Sequence, residues 1–154
     1  MNLSPIFDSA GEAYQQTRIN HWNRIAQKRD QWTGAGSWYH KRLAEIHQFL
    51  VIPNLKILEI GCADGRLLAA LQPARGVGVD FSEEMIRRAK ERHPQFEFIH
   101  ADAHDLSTLH ETFDIIILSD LVNDLWDVQR VFEQIKPLCA SHTRIVLNFY
   151  SRLW

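Results

Sequence analysis

Twelve residues constrain this chain more than the rest: Ile57-Leu58-Glu59-Ile60-Gly61-Cys62-Ala63-Asp64-Gly65-Arg66-Leu67-Leu68. A short apolar run with strand character stops at a glycine turn, and a helical pattern begins at once. Gly61 lets the chain turn sharply, and Gly65 removes a side chain where a ligand would approach. The first turn of the following helix offers backbone N–H groups with no partner inside the helix. A strand feeding a helix this way belongs to a parallel sheet with crossover helices. The same turn also serves as a plain tight connection in many such folds. Its glycines do not follow G-x-G-x-x-G, which counts against a dinucleotide site.

The rest of the chain agrees with that unit. Strands are expected at Lys56–Ile60, Gly76–Asp80, Gln95–His100, Phe113–Leu118 and Arg144–Phe149. Most are short, β-branched and apolar, as for strands covered on both faces. The third alternates and so belongs near an edge. Helices are expected at Arg66–Leu71, Glu83–Arg92 and Val128–Ile135. This gives an α/β, Rossmann-like, doubly wound and mostly parallel sheet with right-handed crossovers. Residues 1–50 differ. Ile19, Trp22, Ile25 and Ala26 recur at helical spacing, Gly34-Ala35-Gly36 interrupts, and Tyr39, Leu43, Ile46 and Leu50 mark a second amphipathic helix. The division is therefore an N-terminal helical segment, 1–50, that packs on or covers a ligand-binding core, 51–154.

Composition excludes several classes. Lys plus Arg is 17 against 19 for Asp plus Glu, so the basic excess of a nucleic-acid binder is missing. No apolar run reaches the ~20 residues of a membrane helix, and the first residues lack a signal-peptide pattern. The two cysteines, Cys62 and Cys139, make neither a disulfide framework nor a metal or redox motif. A reducing cytoplasm is the expected compartment.

Acidic side chains then fall at strand ends. Asp80 closes the second strand roughly 20 residues after Gly61, where a carboxylate accepts from ribose hydroxyls. Ser82, Glu83 and Glu84 beside it read equally well as a helix N-terminus. Asp102 follows the third strand as a candidate adenine contact or a solvated turn. Ser119-Asp120 follow the fourth. All lie on the carboxyl edge, where open α/β sheets bind ligands.

Taken in order, these segments resemble the class I S-adenosylmethionine-dependent methyltransferases, in particular the small-molecule type 11 group, over roughly residues 40–150. The family's first motif, E/D-x-G-x-G-x-G, is matched by Glu59, Gly61, Ala63 and Gly65, with Ala63 in place of the middle glycine. Val79-Asp80-Phe81-Ser82-Glu83-Glu84-Met85 is similar to its ribose motif, Asp102 falls on its adenine-contacting acid, and Phe113–Ser119 match its fourth strand. The resemblance implies that Glu59, Gly61, Cys62, Ala63, Gly65, Asp80, Phe81, Met85, Asp102, Ala103, Ser119 and Asp120 surround S-adenosyl-L-methionine, with S-adenosyl-L-homocysteine as product. It also implies a cofactor contact at Tyr14, because Phe7-Asp8 and Tyr14 are similar to an opening segment that covers the cofactor.

Methyl transfer is an in-line displacement on an already activated carbon, so positioning dominates and no metal is implied. A base is needed only for a protonated acceptor. Many relatives carry a histidine after the fourth strand, and Asp124 stands there instead, as a base or as a solvent-facing residue. The acceptor implied is a small molecule, a glycan or a lipid-linked group. Two alternatives stay open: a non-catalytic cofactor-binding or interaction domain, and a nicotinamide-dependent oxidoreductase. The resemblance to the methyltransferases also implies seven strands, the last two forming a hairpin beside the fifth, and five are counted here. The chain is thus expected to lack that hairpin. Strand 144–149 is expected either to pair with a second copy or to lie beneath an N-terminal helix, and the incomplete domain to turn over weakly or not at all.

Overall fold

The apolar periods of the sequence become two long helices followed by alternating strands and helices. A computed structural model describes residues 8–28 and 35–149. Helices α1 (Ser9–Lys28) and α2 (Ala35–Leu50) come first. Then follow β1 (Lys56–Ile60), α3 (Arg66–Ala70), β2 (Arg75–Asp80), α4 (Glu83–Arg92), β3 (Glu97–His100), β4 (Phe113–Ser119), α5 (Val128–Ile135) and β5 (Cys139–Asn148). The five strands form one parallel sheet in the order β3-β2-β1-β4-β5. The order reverses at β1, so the ends of β1 and β4 flank the crevice where α/β sheets bind ligands.

Each face of the sheet has its own core. Ile57, Ile115 and Ile117 point to one side and pack with Leu68, Leu71, Ile86, Ala89 and Phe98. Leu58, Ile60, Ile116 and Leu118 point to the other, against Leu106, Val131, Ile135 and Leu138. Burial on both faces explains the continuous apolar runs of β1 and β4. The third strand does lie at an edge, beside β2. At Gly78 a β-carbon would stand 2.6 Å from Phe98 Cδ1 and 2.8 Å from Cys62 Sγ, so the absence of a side chain lets β3 and the first turn close over β2.

Three expectations need correction. The inward stripe of α2 is Tyr39, Leu43 and His47, not Tyr39, Leu43, Ile46 and Leu50. His47 is buried, its Nδ1 2.9 Å from the Leu43 carbonyl oxygen, while Ile46 and Leu50 are exposed. A hydrogen bond one turn back lets a polar ring occupy the face that hydropathy assigned to isoleucine. The helix also starts at Ala35, so Gly36 lies inside it rather than in the break. The last strand begins at Cys139, five residues before the apolar run, because Phe113 pairs with Cys139 and an irregularity shifts the register before Ile115 meets Arg144.

The outer side of β5 pairs with no other described strand. Val146 turns inward, whereas Ile145 and Leu147 remain about 40% exposed. Helix α2 touches this strand through a hydrogen bond from Arg144 Nη2 to the Leu50 carbonyl oxygen at 2.7 Å. No described helix is long and apolar enough to cross a membrane. Phe7, Trp32, Gly34 and Tyr150–Trp154 lie outside the described residues.

Candidate functional site

The carboxyl edge opens into a cavity of about 850 Å³. Its floor is the turn after β1, where Gly61 and Gly65 both have φ +75° and Ala63 has φ +47°. A left-handed alanine costs roughly 1–2 kcal/mol, and the loop offsets part of it. The Ala63 N–H donates to Asp80 Oδ2 at 2.9 Å, and the Ser82 N–H donates to Asp80 Oδ1 at 2.8 Å. The Asp80 carboxylate thus ties the two loops that form this end of the site, and it still lines the cavity. Each carboxylate oxygen accepts more than one hydrogen bond, so this grip leaves capacity for hydroxyl donors. Glu59 is buried, its Oε2 accepting from the Leu68 N–H at 2.9 Å in the first turn of α3. Burial, and then the charges of Asp80 and Glu59, push the Cys62 thiol well above its usual range. It lines the wall as a neutral group rather than a nucleophile.

The structure brings Glu59, Gly61, Cys62, Ala63, Asp80, Phe81, Met85, Ser119, Asp120 and Asp124 to one cavity. Gly65 is not among its lining residues. A β-carbon there would meet Phe98 Cζ at 2.6 Å, so the glycine serves the packing of α3 on β3 rather than access for a ligand. Tyr14, Asp102 and Ala103 line a small adjoining hollow, with Phe81, Leu121 and Asp124 on the boundary it shares with the main cavity.

Asp102 is held firmly. Its Oδ2 accepts from Gln15 Nε2 at 2.6 Å, and its Oδ1 accepts from the His104 N–H at 2.8 Å and stands 2.5 Å from His104 Nδ1. Burial opposes its charge, but these hydrogen bonds keep the carboxyl below the ordinary carboxylate range. His104 is itself buried, and its Nε2 accepts from the Asp127 N–H at 3.1 Å. That bond fixes the neutral ring with its proton on Nδ1, facing Asp102.

Asp124 is half-buried and lines the cavity. Its Oδ2 is ion-paired with Arg18 and accepts from Trp22 Nε1 at 2.9 Å. Tyr14 stacks on Trp126 with ring centroids 5.4 Å apart, and its hydroxyl reaches the Asp124 carbonyl at 3.4 Å. Helix α1 is therefore fastened over the site by Tyr14, Gln15, Arg18 and Trp22. Trp22 lines the cavity, whereas Trp38 is 68% exposed.

At the far end, Asp120 has φ +54° and accepts from the Tyr39 hydroxyl at 2.9 Å to each oxygen. Asn148, at the end of β5, also donates to its Oδ1. Ser119 Oγ is buried with no hydrogen-bond partner among the described residues. Sequence reasoning had no signal for Gln15, Arg18 or Asn148 and read Tyr39 only as a packing residue.

Comparison with known proteins agrees with this geometry. Residues 57–141 match the family model described as a methyltransferase domain. The phosphatidylethanolamine N-methyltransferase of Cereibacter sphaeroides is 30% identical over 105 residues, covering 63% of this chain and 52% of that protein. The ubiquinone/menaquinone biosynthesis C-methyltransferase UbiE of Campylobacter jejuni is 27% identical over 154 residues, covering 90% of this chain and 66% of that protein. Among solved structures, the N-methyltransferase NodS of Bradyrhizobium japonicum, in complex with S-adenosyl-L-homocysteine, superposes with a TM-score of 0.67 at 21% identity, covering 84% of this chain and 71% of that one. The chain belongs to the methyltransferase-domain family. It spans about half to two thirds of the length of these two curated relatives.

Proposed function

We propose that this chain binds S-adenosyl-L-methionine along the carboxyl edge and serves methyl transfer to a small-molecule or lipid acceptor, leaving S-adenosyl-L-homocysteine. The observation that carries this reading is Asp80. A carboxylate ends β2 beside the glycine turn, lines the cavity, and is oriented by two backbone N–H groups. The residues present suit the cofactor. Asp80 accepts from ribose hydroxyls, Phe81, Met85 and Leu121 give apolar walls, and Asp102 offers an acceptor to a purine amino group. At Gly61 a β-carbon would stand 3.0 Å from Leu121 Cδ1 on a backbone with φ +75°, so the turn packs against Leu121 there.

The bound cofactor supplies a methyl group on a positively charged sulfur. The protein's part is to orient both partners and keep water out, which α1 does by closing over the loops through Arg18, Trp22 and Gln15. The names of the relatives above include a phospholipid and isoprenoid quinones as products or acceptors, which supports an acceptor with an apolar body.

Calorimetric titration with S-adenosylmethionine, S-adenosylhomocysteine and NAD tests the reading. Binding of the first two and not of NAD is expected. Binding of NAD alone would sink it in favour of nicotinamide chemistry, and cofactor binding without turnover on any acceptor would favour a non-catalytic domain.

A further inference from the structure

We propose that a second copy of this chain packs on the outer face of α2, antiparallel to it, about a two-fold axis that passes between Leu43 and Ala44. The inference concerns the outer surface of that helix and does not depend on what the cavity binds.

Trp38, Arg42, Glu45 and Phe49 follow one another at spacings of four, three and four residues, which sets them in one stripe along the helix. Trp38 is 68% and Phe49 88% exposed. Between them Arg42 Nη1 donates to Glu45 Oε2 at 3.0 Å, with both side chains open to solvent. Ile46 and Leu50 stand beside the stripe and are exposed as well. Large apolar side chains gathered on one exposed face mark a contact surface. Tryptophan, phenylalanine and arginine are also the residue types enriched where proteins meet. Tyr39, Leu43 and Ala44, on the other side of the helix, line the cavity, so a partner on the stripe does not compete with a ligand there.

The order of residues along the stripe identifies the partner. Trp38 and Phe49 lie equally far from the point between Leu43 and Ala44, and so do Arg42 and Glu45. A copy of the helix turned over by a two-fold axis at that point therefore sets Trp38 beside the partner's Phe49 and Arg42 beside the partner's Glu45. An isologous contact makes every such pairing twice. Two aromatic pairs then flank a central group of two guanidinium and two carboxylate groups. Packed helices lie about 8–10 Å apart, within reach of these side chains. The apolar stem of Lys41 falls beside the partner's Ile46 by the same count.

Other arrangements suit the stripe less well. Two parallel copies in register would set Arg42 against Arg42 and Glu45 against Glu45, and like charges brought together oppose association. A bilayer would strip water from the central ion pair and return nothing, whereas the two-fold copy gives each charge a second counter-charge. Aromatic side chains bury roughly 150–250 Å² each, so four of them with Ile46 and Leu50 of both copies bring the contact to the order of 1,000 Å². That lies at the small end of specific interfaces and fits a dimer that forms and parts with concentration.

The test follows the whole chain by sedimentation velocity from about 2 to about 200 µM. A monomer–dimer equilibrium is expected, half complete on the order of tens of micromolar, as for small interfaces. Phe49→Asp is expected to weaken the dimer at least about 30-fold, because an aromatic anchor is lost at both ends, and to keep the wild-type melting temperature. Arg42→Glu alone and Glu45→Arg alone should each weaken it about tenfold or more, by setting like charges across the axis. An equimolar mixture of these two variants should associate within about threefold of the wild type, because each acid of one chain then faces a guanidinium of the other. Mixing repairs no contact within a chain, so this readout belongs to the interface, and it decides the matter should Phe49→Asp fail to fold. A wild type that stays monomeric at about 200 µM, a folded Phe49→Asp variant that dimerises like the wild type, or a mixture no tighter than the separate variants overturns the proposal. So does a dimer abolished by Leu147→Lys but not by Phe49→Asp, which would move the contact to the open side of β5.

Discussion

The two ends of the cavity are held by different means. At the β2 end, Asp80 is gripped by backbone N–H groups of Ala63 and Ser82, in loops that flank it closely. At the β4 end, Asp120 and Asp124 are gripped largely by side chains from far away in sequence: Tyr39 from α2, and Arg18 and Trp22 from α1. A backbone-held carboxylate is fixed wherever the βα turn forms. A side-chain-held one changes whenever a helix residue changes. One architecture can therefore keep its cofactor end constant while the opposite end varies.

The sharpest way to break this contrast is Asp80→Ala. It leaves two N–H donors without their acceptor, at about 1–3 kcal/mol each if they stay dry, and removes the acceptor for the ribose hydroxyls. We expect S-adenosylmethionine affinity to fall about 100-fold or more, as two charge-assisted bonds of about 1.5–3 kcal/mol each imply. Asp102→Ala should cost less, because one contact is lost and Gln15 and His104 remain beside it. Calorimetry compares the two; an Asp80→Ala Kd equal to that of the wild type would refute the assignment.

Gly65→Ala probes whether the turn is fixed by backbone geometry. The new β-carbon would sit 2.6 Å from Phe98 Cζ on a backbone with φ +75°. A loss of about 2–3 kcal/mol is expected from overpacking and the left-handed backbone combined, read as a lower urea midpoint. Phe98→Leu in the same chain should recover part of it by vacating the space. No recovery would mean that backbone strain alone sets the cost.

Arg18→Ala addresses the side-chain-held end and should have the smallest effect. It removes one half-buried ion pair, worth about 1 kcal/mol. Hydrogen exchange along α1 should then quicken roughly fivefold, with the protection of β1 and β4 unchanged. Equal acceleration in the sheet would show that α1 is part of the cooperative core rather than a fastened cover.

How far the sequence could be read follows from the same contrast. The strand ends, the glycine turn and Asp80 were legible because local spacing fixes them: a two-face-buried strand, a positive φ and the start of a helix all lie within a few residues. The Tyr39–Asp120 pair was not, because its members lie on separate elements joined only by tertiary packing. Hydropathy also misplaced the inner face of α2, since His47 Nδ1 finds a partner in the Leu43 carbonyl one turn back, although its Nε2 is buried without one among the described residues. The early start of β5 is not legible in the sequence because Ala140-Ser141-His142-Thr143 carry little apolar signal. Thr143 binds the Phe113 carbonyl at 2.5 Å and the Ala140 N–H at 2.8 Å, holding the irregular stretch in place.

His104 narrows which sequences this loop tolerates. Its ring meets a carboxylate at one nitrogen and a backbone N–H at the other, so the position needs a donor and an acceptor at opposite ends of one short rigid group. Lysine and arginine supply only donors, and glutamate supplies only acceptors. Glutamine has both, but on a flexible stem. Among homologous chains that keep an acid at Asp102 and a helix starting after Asp127, drift at this site should be confined almost wholly to histidine and glutamine. A change to a cationic residue should then be accompanied by the remodelling of both neighbours at once.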